Sequence, residues 1–497
     1  MKRLGKTIHS HLVFIFIILS VLILSLPTLG RDLLSDWDEC IYTQYAKTMN
    51  ISKDFTTHYW NGKPALEKPP LNSILMQVPF ISGINEFSAR ITTFILGILL
   101  LAGVYFFSIK FFSKSIAIVS VLVLLSSSLF LYYLVRVNTD IGFSLFIFCG
   151  LAFWLASLKR DPKLSLFSGI FFGLAVLQKG PGVVPYFAGM LIVHLLFFRE
   201  KLLMLLKICF TTFAISLPWH VYEYLLFGQQ FINVYVLENI IKRARYPLEF
   251  HMEGRLFYVR LFLTQFNYLL LFPIVGAVLL LIKTITSKIT FKKIDLVMKI
   301  NYVLTSLCVI FIVSFIMITK IRTRIAWYSI PLLPIGSIII GYSIDRLIHL
   351  FKSEKLKKAL HILILVVLIL QSLFLVINSY SVFQFRRTIS PRHEVIIKSS
   401  QMPQKELYYL VQYSERRARE MLNENLYTST TWIFGGNSCA LYYSGKKVNY
   451  FYNVNNFNKR LGVKDRLYLI ENGDYQMIEK KSPRILFKNS DFILFTY

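Results

Sequence analysis

Residues 35–71 read SDWDECIYTQYAKTMNISKDFTTHYWNGKPALEKPPL. The stretch opens on Asp36, Asp38 and Glu39 and closes on Lys68, Pro69 and Pro70. An apolar run over 12–29 precedes it, and most of the chain between residue 87 and about residue 378 is apolar enough to be membrane. Acids are costly in that setting and seldom kept without a task. The loop is therefore read as carrying the acidic half of a site, with other segments holding it against a negatively charged, lipid-borne substrate.

The loop has local structure of its own. Ile41, Tyr45 and Met49 recur at i+4 and predict a short helix over 39–49, with Asp38 or Ser35 as its cap. Asn61-Gly62 is a turn signal. Pro69-Pro70 forces an extended entry into an amphipathic piece over 71–80 that suits the membrane interface.

The chain has 497 residues, 55% of them hydrophobic and 16% charged, which is the composition of a polytopic membrane protein. Its 43 Phe and recurrent Leu and Ile runs exclude disorder. A formal charge of +28 would suit nucleic acid, but Lys and Arg are spread through the gaps between apolar runs rather than gathered in one domain. That pattern marks cytoplasmic loops and binds phospholipid head groups, so no nucleic-acid partner is expected. Lys2, Arg3 and Lys6 precede the first apolar run, which is long for a signal peptide and ends in the poor cleavage sequence Thr28-Leu29-Gly30. It is read as an uncleaved first helix with a cytoplasmic N-terminus.

Further spans are predicted over 87–108, 116–134, 141–158, 164–178, 183–198, 203–226, 257–282, 301–319, 328–348 and 359–378. The segments 164–178 and 183–198 are short for a core ~30 Å thick, and one bent hairpin is the alternative there. The total is about 11 (10–13), and odd parity puts the C-terminus outside. Loops assigned inside hold Lys110 and Lys114, then Lys159, Arg160 and Lys163, then Arg199, Lys201 and Lys207, and later Lys283 to Lys299 and Lys352 to Lys358. The register thus obeys the positive-inside rule. Cations on the other side become informative: Lys68, Arg136, Lys179, Lys242, Arg243, Arg245, Lys320, Arg322 and Arg324.

The domains are therefore a membrane catalytic part over 1–380, with its outer loop at 30–86, and a soluble α/β module over 381–497. Within the module 406–426 looks helical, and strands are predicted over 430–434, 441–443, 448–452, 466–470 and 492–495. Cys40, Cys149, Cys209, Cys308 and Cys439 show no paired spacing and are read as neither a disulfide framework nor a zinc site. A Cys40–Cys439 pair outside the cytoplasm is the minority alternative.

Several constellations could carry chemistry. Adjacent Asp38 and Glu39 diverge by about a hundred degrees on a helix, so one faces a reaction and the other a structural partner. The bland alternative is that both cap the helix. Asp140, in VRVNTDIGF, is a second outer acid or simply the cap of the following span. Lys179 lies in QKGPG, whose glycines allow a ligand close to the backbone. Lys320, Arg322 and Arg324 in TKIRTRIAWY would form an anion seat, or merely anchor to head groups. Residues 238–255 read as a long polar outer loop containing Arg243. His58, His251 and Glu253 leave a divalent metal open without tight ligand spacing. Cations to neutralise a departing phosphate, plus an Asp to take a hydroxyl proton, are the parts of a glycosyl transfer.

These residues resemble the bacterial members of the family containing protein mannosyltransferases and the aminoarabinose transferase of lipid A, membrane glycosyltransferases of the GT-C class. The similarity is carried by DECIYTQYAKTM at 38–49, GKPALEKPPL at 62–71, NEFSAR at 85–90, RVNTD at 136–140, GLAVLQKGP at 173–181, PWH at 218–220 and RTRIAWYSIPLLP at 322–334. The resemblance implies a GT-C fold, a polyprenyl-phosphate sugar as donor and inverting transfer on the periplasmic face of a bacterial inner membrane. It implies Asp38, Glu39 and Asp140 as catalytic residues. Tyr42, Tyr59, Glu67, Lys68, Arg136, Lys179, Arg243, Lys320, Arg322, Arg324 and Tyr328 become substrate-binding candidates. Relatives often carry Arg after the Asp-Glu pair, where this chain has Cys40. The acceptor is left open among lipid A, a lipid-linked glycan, a polysaccharide and a protein, and a monomer is expected. A polyprenyl-linked glycan flippase or an O-antigen-type ligase is the competing reading.

Overall fold

The computed structural model describes residues 2–286, 301–379, 389–421, 426, 428–435, 437–478 and 482–497. Among these, eight helices are long and apolar enough to cross a membrane, from His11–Thr28 to Glu354–Ser379, so the chain is a multi-pass membrane protein. A bent pair, Lys114–Leu125 with Ser128–Leu134, supplies a ninth, and Leu164–Lys179 and Val184–Phe197 are shorter apolar helices. All these segments coincide with those predicted. The basic residues of the predicted inner loop between Lys288 and Lys299 lie outside the described residues. The chain divides into two compact units.

The first unit comprises Met1–Leu29, Arg90–Val221 and Met252–Phe385. Its tightest pairing is the antiparallel hairpin of Asp140–Lys159 and Leu164–Lys179. Glycine brings the two helices together: a Cβ on Gly142 would lie 2.5 Å from the Gln178 side chain, and one on Gly150 would lie 2.9 Å from the Phe172 ring. The Ser168 hydroxyl donates across the hairpin to the Gly150 carbonyl at 2.8 Å.

The span predicted as continuous over 116–134 instead turns by 76°. Ser126 and Ser127 are the cause. Ser126 Oγ bonds back to the Leu122 carbonyl at 2.8 Å, and Ser127 Oγ caps the next helix through Phe130 N at 3.2 Å. Gln265 Oε1 accepts from Ser127 Oγ, Ser128 Oγ and Leu129 N, satisfying the exposed helix start.

The second unit comprises Gly30–Ala89, Tyr222–His251 and Arg386–Tyr497. Its loop contains helix Asp38–Ser52, strands β1 (Tyr59–Trp60) and β2 (Lys63–Pro64), and helix Leu71–Phe80. Asn61 and Gly62 both take positive φ, +51° and +80°, and close the β1–β2 hairpin as that dipeptide should. Neither Asp38 nor Ser35 occupies the N-cap position of the first helix. The cap position is Trp37, whose φ of +66° is a strained value for a bulky residue.

The C-terminal part of this unit is a five-stranded sheet ordered β4-β3-β5-β7-β6. The strands are β3 (Glu406–Leu410), β4 (Lys447–Phe451), β5 (Arg466–Glu471), β6 (Arg484–Lys488) and β7 (Phe492–Thr496). β3 pairs in parallel with β4 and β5, while β7 runs antiparallel to β5 and β6. One face packs Tyr408, Leu410, Tyr468, Ile470, Ile493 and Phe495 against Phe457 and Leu461.

Four sequence expectations change here. The predicted strands at 430–434 and 441–443 are helices, Ser429–Phe434 and Cys439–Ser444. The 406–426 segment begins as β3 and turns helical only at Tyr413–Met421. The polar loop over 238–255 starts as a π-helix, Ile232–Lys242. Cys40 and Cys439, read as unpaired, form a disulfide across 399 residues.

Candidate functional site

Within the second unit the acids of the opening loop separate by task. Glu39 is buried and its Oε2 accepts from both Ser35 N and Ser35 Oγ at 3.0 Å. It ties the entering chain to the helix. Asp38, in the same first turn, is only half-buried. The divergence expected of adjacent helical residues thus gives one inward acid and one nearer solvent. Asp36 holds the C-terminal part: Oδ2 accepts from Arg392 Nη1 at 3.0 Å, and Oδ1 from Cys439 N at 3.2 Å. With the Cys40–Cys439 disulfide and Trp37 N donating to Ser438 Oγ at 2.6 Å, the chain is fastened on both sides of Asp38.

Further along the loop, Glu67 is buried and accepts a hydrogen bond from the Tyr45 hydroxyl. Burial raises the Glu67 pKa, and burial together with the nearby carboxylate raises that of Tyr45. Glu67 Oε2 has no hydrogen-bond partner among the described residues. His58 stacks on Tyr45 with centroids 4.5 Å apart, bonds Ser73 Oγ at 2.9 Å, and is pushed down to about 4 by burial. It is neutral at pH 7. Tyr42 is buried beside Tyr45, while Tyr59, in β1, and Lys68 are half-buried. Thr57 donates to buried Glu223 at 2.8 Å, an acid the sequence reading did not single out. Arg243 is committed to Glu249, with Nη2 at 3.0 and 2.9 Å from its two oxygens.

Within the first unit, Asp140 and Lys179 form an ion pair, with side chains 3% and 13% exposed. The helix hairpin explains it. Asp140 opens one helix and Lys179 closes its antiparallel neighbour, so each charge sits at the favourable end of its own helix dipole. Asp140 is not the cap. Asn138 Oδ1 takes that task, accepting from Asp140 N at 2.9 Å and Ile141 N at 3.0 Å, which leaves the Asp140 carboxylate for Lys179. Lys179 also lies 5.0 Å from the Tyr328 ring centroid. Gly180, at φ +98°, lets the chain leave the helix directly after Lys179.

The cations of TKIRTRIAWY do not form one cluster of equals. Lys320 and Arg322 are exposed, whereas Arg324 is 8% exposed and donates to the carbonyls of Glu253 and Thr319. Its Nε has no partner among the described residues. Arg136 is half-buried with its guanidinium 4.2 Å from the Tyr132 ring. No three of His, Cys, Asp and Glu converge to hold a metal among the described residues.

The profile of the family described as "Dolichyl-phosphate-mannose-protein mannosyltransferase" matches residues 67–222. An uncharacterised protein of Aquifex aeolicus (strain VF5) is 29% identical over 233 residues, 46% of this chain and 47% of that one. The chain thus spans about half the length of that curated relative. Two crystal structures of ArnT from Cupriavidus metallidurans share the fold. With undecaprenyl phosphate bound the TM-score is 0.68, and in the apo state 0.69, each at 14% identity over 97% of both chains. The Archaeoglobus fulgidus oligosaccharyltransferase, tethered to an acceptor peptide, has a TM-score of 0.56 at 13% identity, covering 94% of this chain and 69% of its own. The likeness to the ArnT and protein mannosyltransferase family read from the motifs is therefore found again in the profile and in a GT-C fold.

Proposed function

We propose that this protein is a glycosyltransferase that moves a sugar from a polyprenyl-phosphate donor to an acceptor outside the cytoplasm, with inversion at the anomeric carbon. The observation that carries the reading is the family profile over 67–222, which spans Glu67, Lys68, Arg136, Asp140 and Lys179. Undecaprenyl phosphate, bound by the Cupriavidus ArnT, supplies the donor class. The Cys40–Cys439 disulfide supports an oxidising, extracytoplasmic compartment for the Asp38 loop.

In this reading Asp38 accepts the proton of the acceptor hydroxyl. The acceptor oxygen forms a bond to the anomeric carbon, and the bond from that carbon to the phosphate oxygen breaks. The electron pair leaves on the polyprenyl phosphate, whose charge is met by Lys68 of the same unit, and Lys179 and Arg324 are further donor-binding candidates. Asp140 acts through Lys179, holding its ammonium, and Glu39 acts through the loop backbone. Tyr42, Tyr59, Glu67, Arg136, Arg243, Lys320, Arg322 and Tyr328 remain binding candidates, of which Lys320 and Arg322 are the solvent-facing ones.

Nanodisc-reconstituted protein offered a panel of polyprenyl-phosphate sugars should release polyprenyl phosphate only when an acceptor is present. Lipid A, lipid-linked glycan and peptide acceptors distinguish the finer possibilities. Movement of an intact lipid-linked glycan across vesicles, with no sugar transferred to any acceptor, would overturn the reading in favour of a flippase.

A further inference from the structure

Ends of several helices in the first unit border an open pocket of about 660 Å³ on the face that the basic loops mark as cytoplasmic. That volume lies within the roughly 300–1,000 Å³ typical of small-molecule sites. The role proposed above for the outer-face cations makes no use of it.

Lys110, Arg160 and Arg346 line the cavity, and Asp345 is the single carboxylate lining it among the described residues. Asp345 is 6% exposed and already engaged, with His349 Nδ1 at 3.6 Å and His361 Nε2 at 3.5 Å. The two guanidiniums are held by rings rather than acids: Arg160 lies 5.4 Å from the Phe111 centroid and Arg346 5.0 Å from that of Tyr342. Neither makes an ion pair among the described residues. Helix Lys114–Leu125, with Ser113 at its N-cap, also opens at this wall and adds the partial positive charge of its first turn. Cations from three different helix ends, the two arginines preset by ring contacts and none of the three in an ion pair among the described residues, make a seat for planar, forked hydrogen bonding to phosphate.

We propose that this cavity is a second anion site, binding a phosphate group from the cytoplasmic side. The phosphate comes from an anionic phospholipid headgroup or from a soluble phosphate compound. Basic pockets between transmembrane helices on this face bind such headgroups in other membrane proteins.

The test uses the full-length protein in neutral detergent, titrated with dioctanoyl phosphatidylglycerol, dioctanoyl phosphatidylcholine and pyrophosphate, with binding read by calorimetry. Phosphatidylglycerol should bind more tightly than phosphatidylcholine, and Arg160→Gln/Arg346→Gln should weaken it about tenfold or more. If pyrophosphate also binds with the same arginine dependence, the phosphate group alone suffices and a soluble ligand is the source. If it does not, the source is lipid. Arg160→Lys/Arg346→Lys keeps both charges and should retain most of the affinity, which separates lost binding from lost folding. Equal binding of the anionic probes by wild type and the Gln double variant, or no binding of either anionic probe to wild type, would overturn the proposal.

Discussion

Asp140→Asn offers a quantitative test of how the charged pair of the helix hairpin is built. The substitution preserves shape but leaves Lys179 charged beside a neutral amide, with its side chain only 13% exposed. Removing one partner of a buried ion pair typically costs about 3–5 kcal/mol. The value here should fall at the low end, about 3 kcal/mol, because Lys179 keeps the Tyr328 ring at 5.0 Å and some access to solvent. Lys179→Met strands the less exposed Asp140, at 3%, and should cost more. Asp140→Asn/Lys179→Met removes both charges and should be more stable than the sum of the single effects predicts, by at least ~2 kcal/mol. The assay is unfolding of bicelle-solubilised protein by SDS, followed by tryptophan fluorescence. Strict additivity of the two single effects, or a cost under about 0.5 kcal/mol for each, would refute the pair as a structural unit.

Three further outcomes are expected. In a Cys149→Ala/Cys209→Ala/Cys308→Ala background, Cys40 and Cys439 should react with a maleimide-PEG only after reduction, and Cys439→Ser should cost about 2–4 kcal/mol; two reactive thiols without reductant would contradict the pairing. His58, lowered from 6.5 to about 4, binds more protons unfolded than folded in between, so its contribution to stability is complete above pH 6.5 and fades as pH falls toward 4. Glu67, raised by burial, works in the opposite sense, losing its contribution as pH rises through its folded value, so the comparison with His58→Gln isolates the histidine: the variant should remove roughly 3 kcal/mol of the stability lost between pH 6.5 and 4, and an unchanged loss counts against a buried neutral imidazole. Arg324→Ala should raise the donor concentration needed for half-maximal rate by about tenfold or more and Arg324→Lys by less; donor dependence unchanged in both removes Arg324 from the donor site.

Most membrane segments were legible because they are long apolar runs closed by basic or glycine-containing loops, and Leu164–Lys179 and Val184–Phe197 are shorter apolar helices. The Asn61-Gly62 hairpin and the 71–80 helix were legible for a comparable reason, since each is dictated by residues within a few positions of one another. What the sequence concealed depends on partners far along the chain. The break at Ser126-Ser127 is completed by Gln265, and Asp36 meets Arg392 at a separation of 356 residues. Cys40 shows no paired spacing in the sequence, and its partner Cys439 lies 399 residues away. Residues 430–434 carry the aromatic and β-branched residues of a strand and 441–443 two tyrosines, yet both lie in short helices, so local propensity misled there. Strand β6 escaped notice because it is an edge strand with little burial and so shows no clean alternation. At the site, Asp140 and Lys179 were each found from sequence as separate charges. Their pairing needed the hairpin, and Asn138 as cap needed the backbone geometry.

The proposed transfer depends most directly on Asp38 as the base. Asp38→Asn should insert, retain the Cys40–Cys439 disulfide and bind donor almost as wild type, while turnover on a hydroxyl acceptor falls about 10²–10⁴-fold. Glu39→Gln, which perturbs the Ser35 contacts, should lose stability before it loses rate. The measurement is single-turnover transfer from a polyprenyl-phosphate sugar in nanodiscs, with donor binding followed in parallel. A collapse of turnover with donor affinity intact is the predicted result. Near-normal turnover by Asp38→Asn on a hydroxyl acceptor would contradict it.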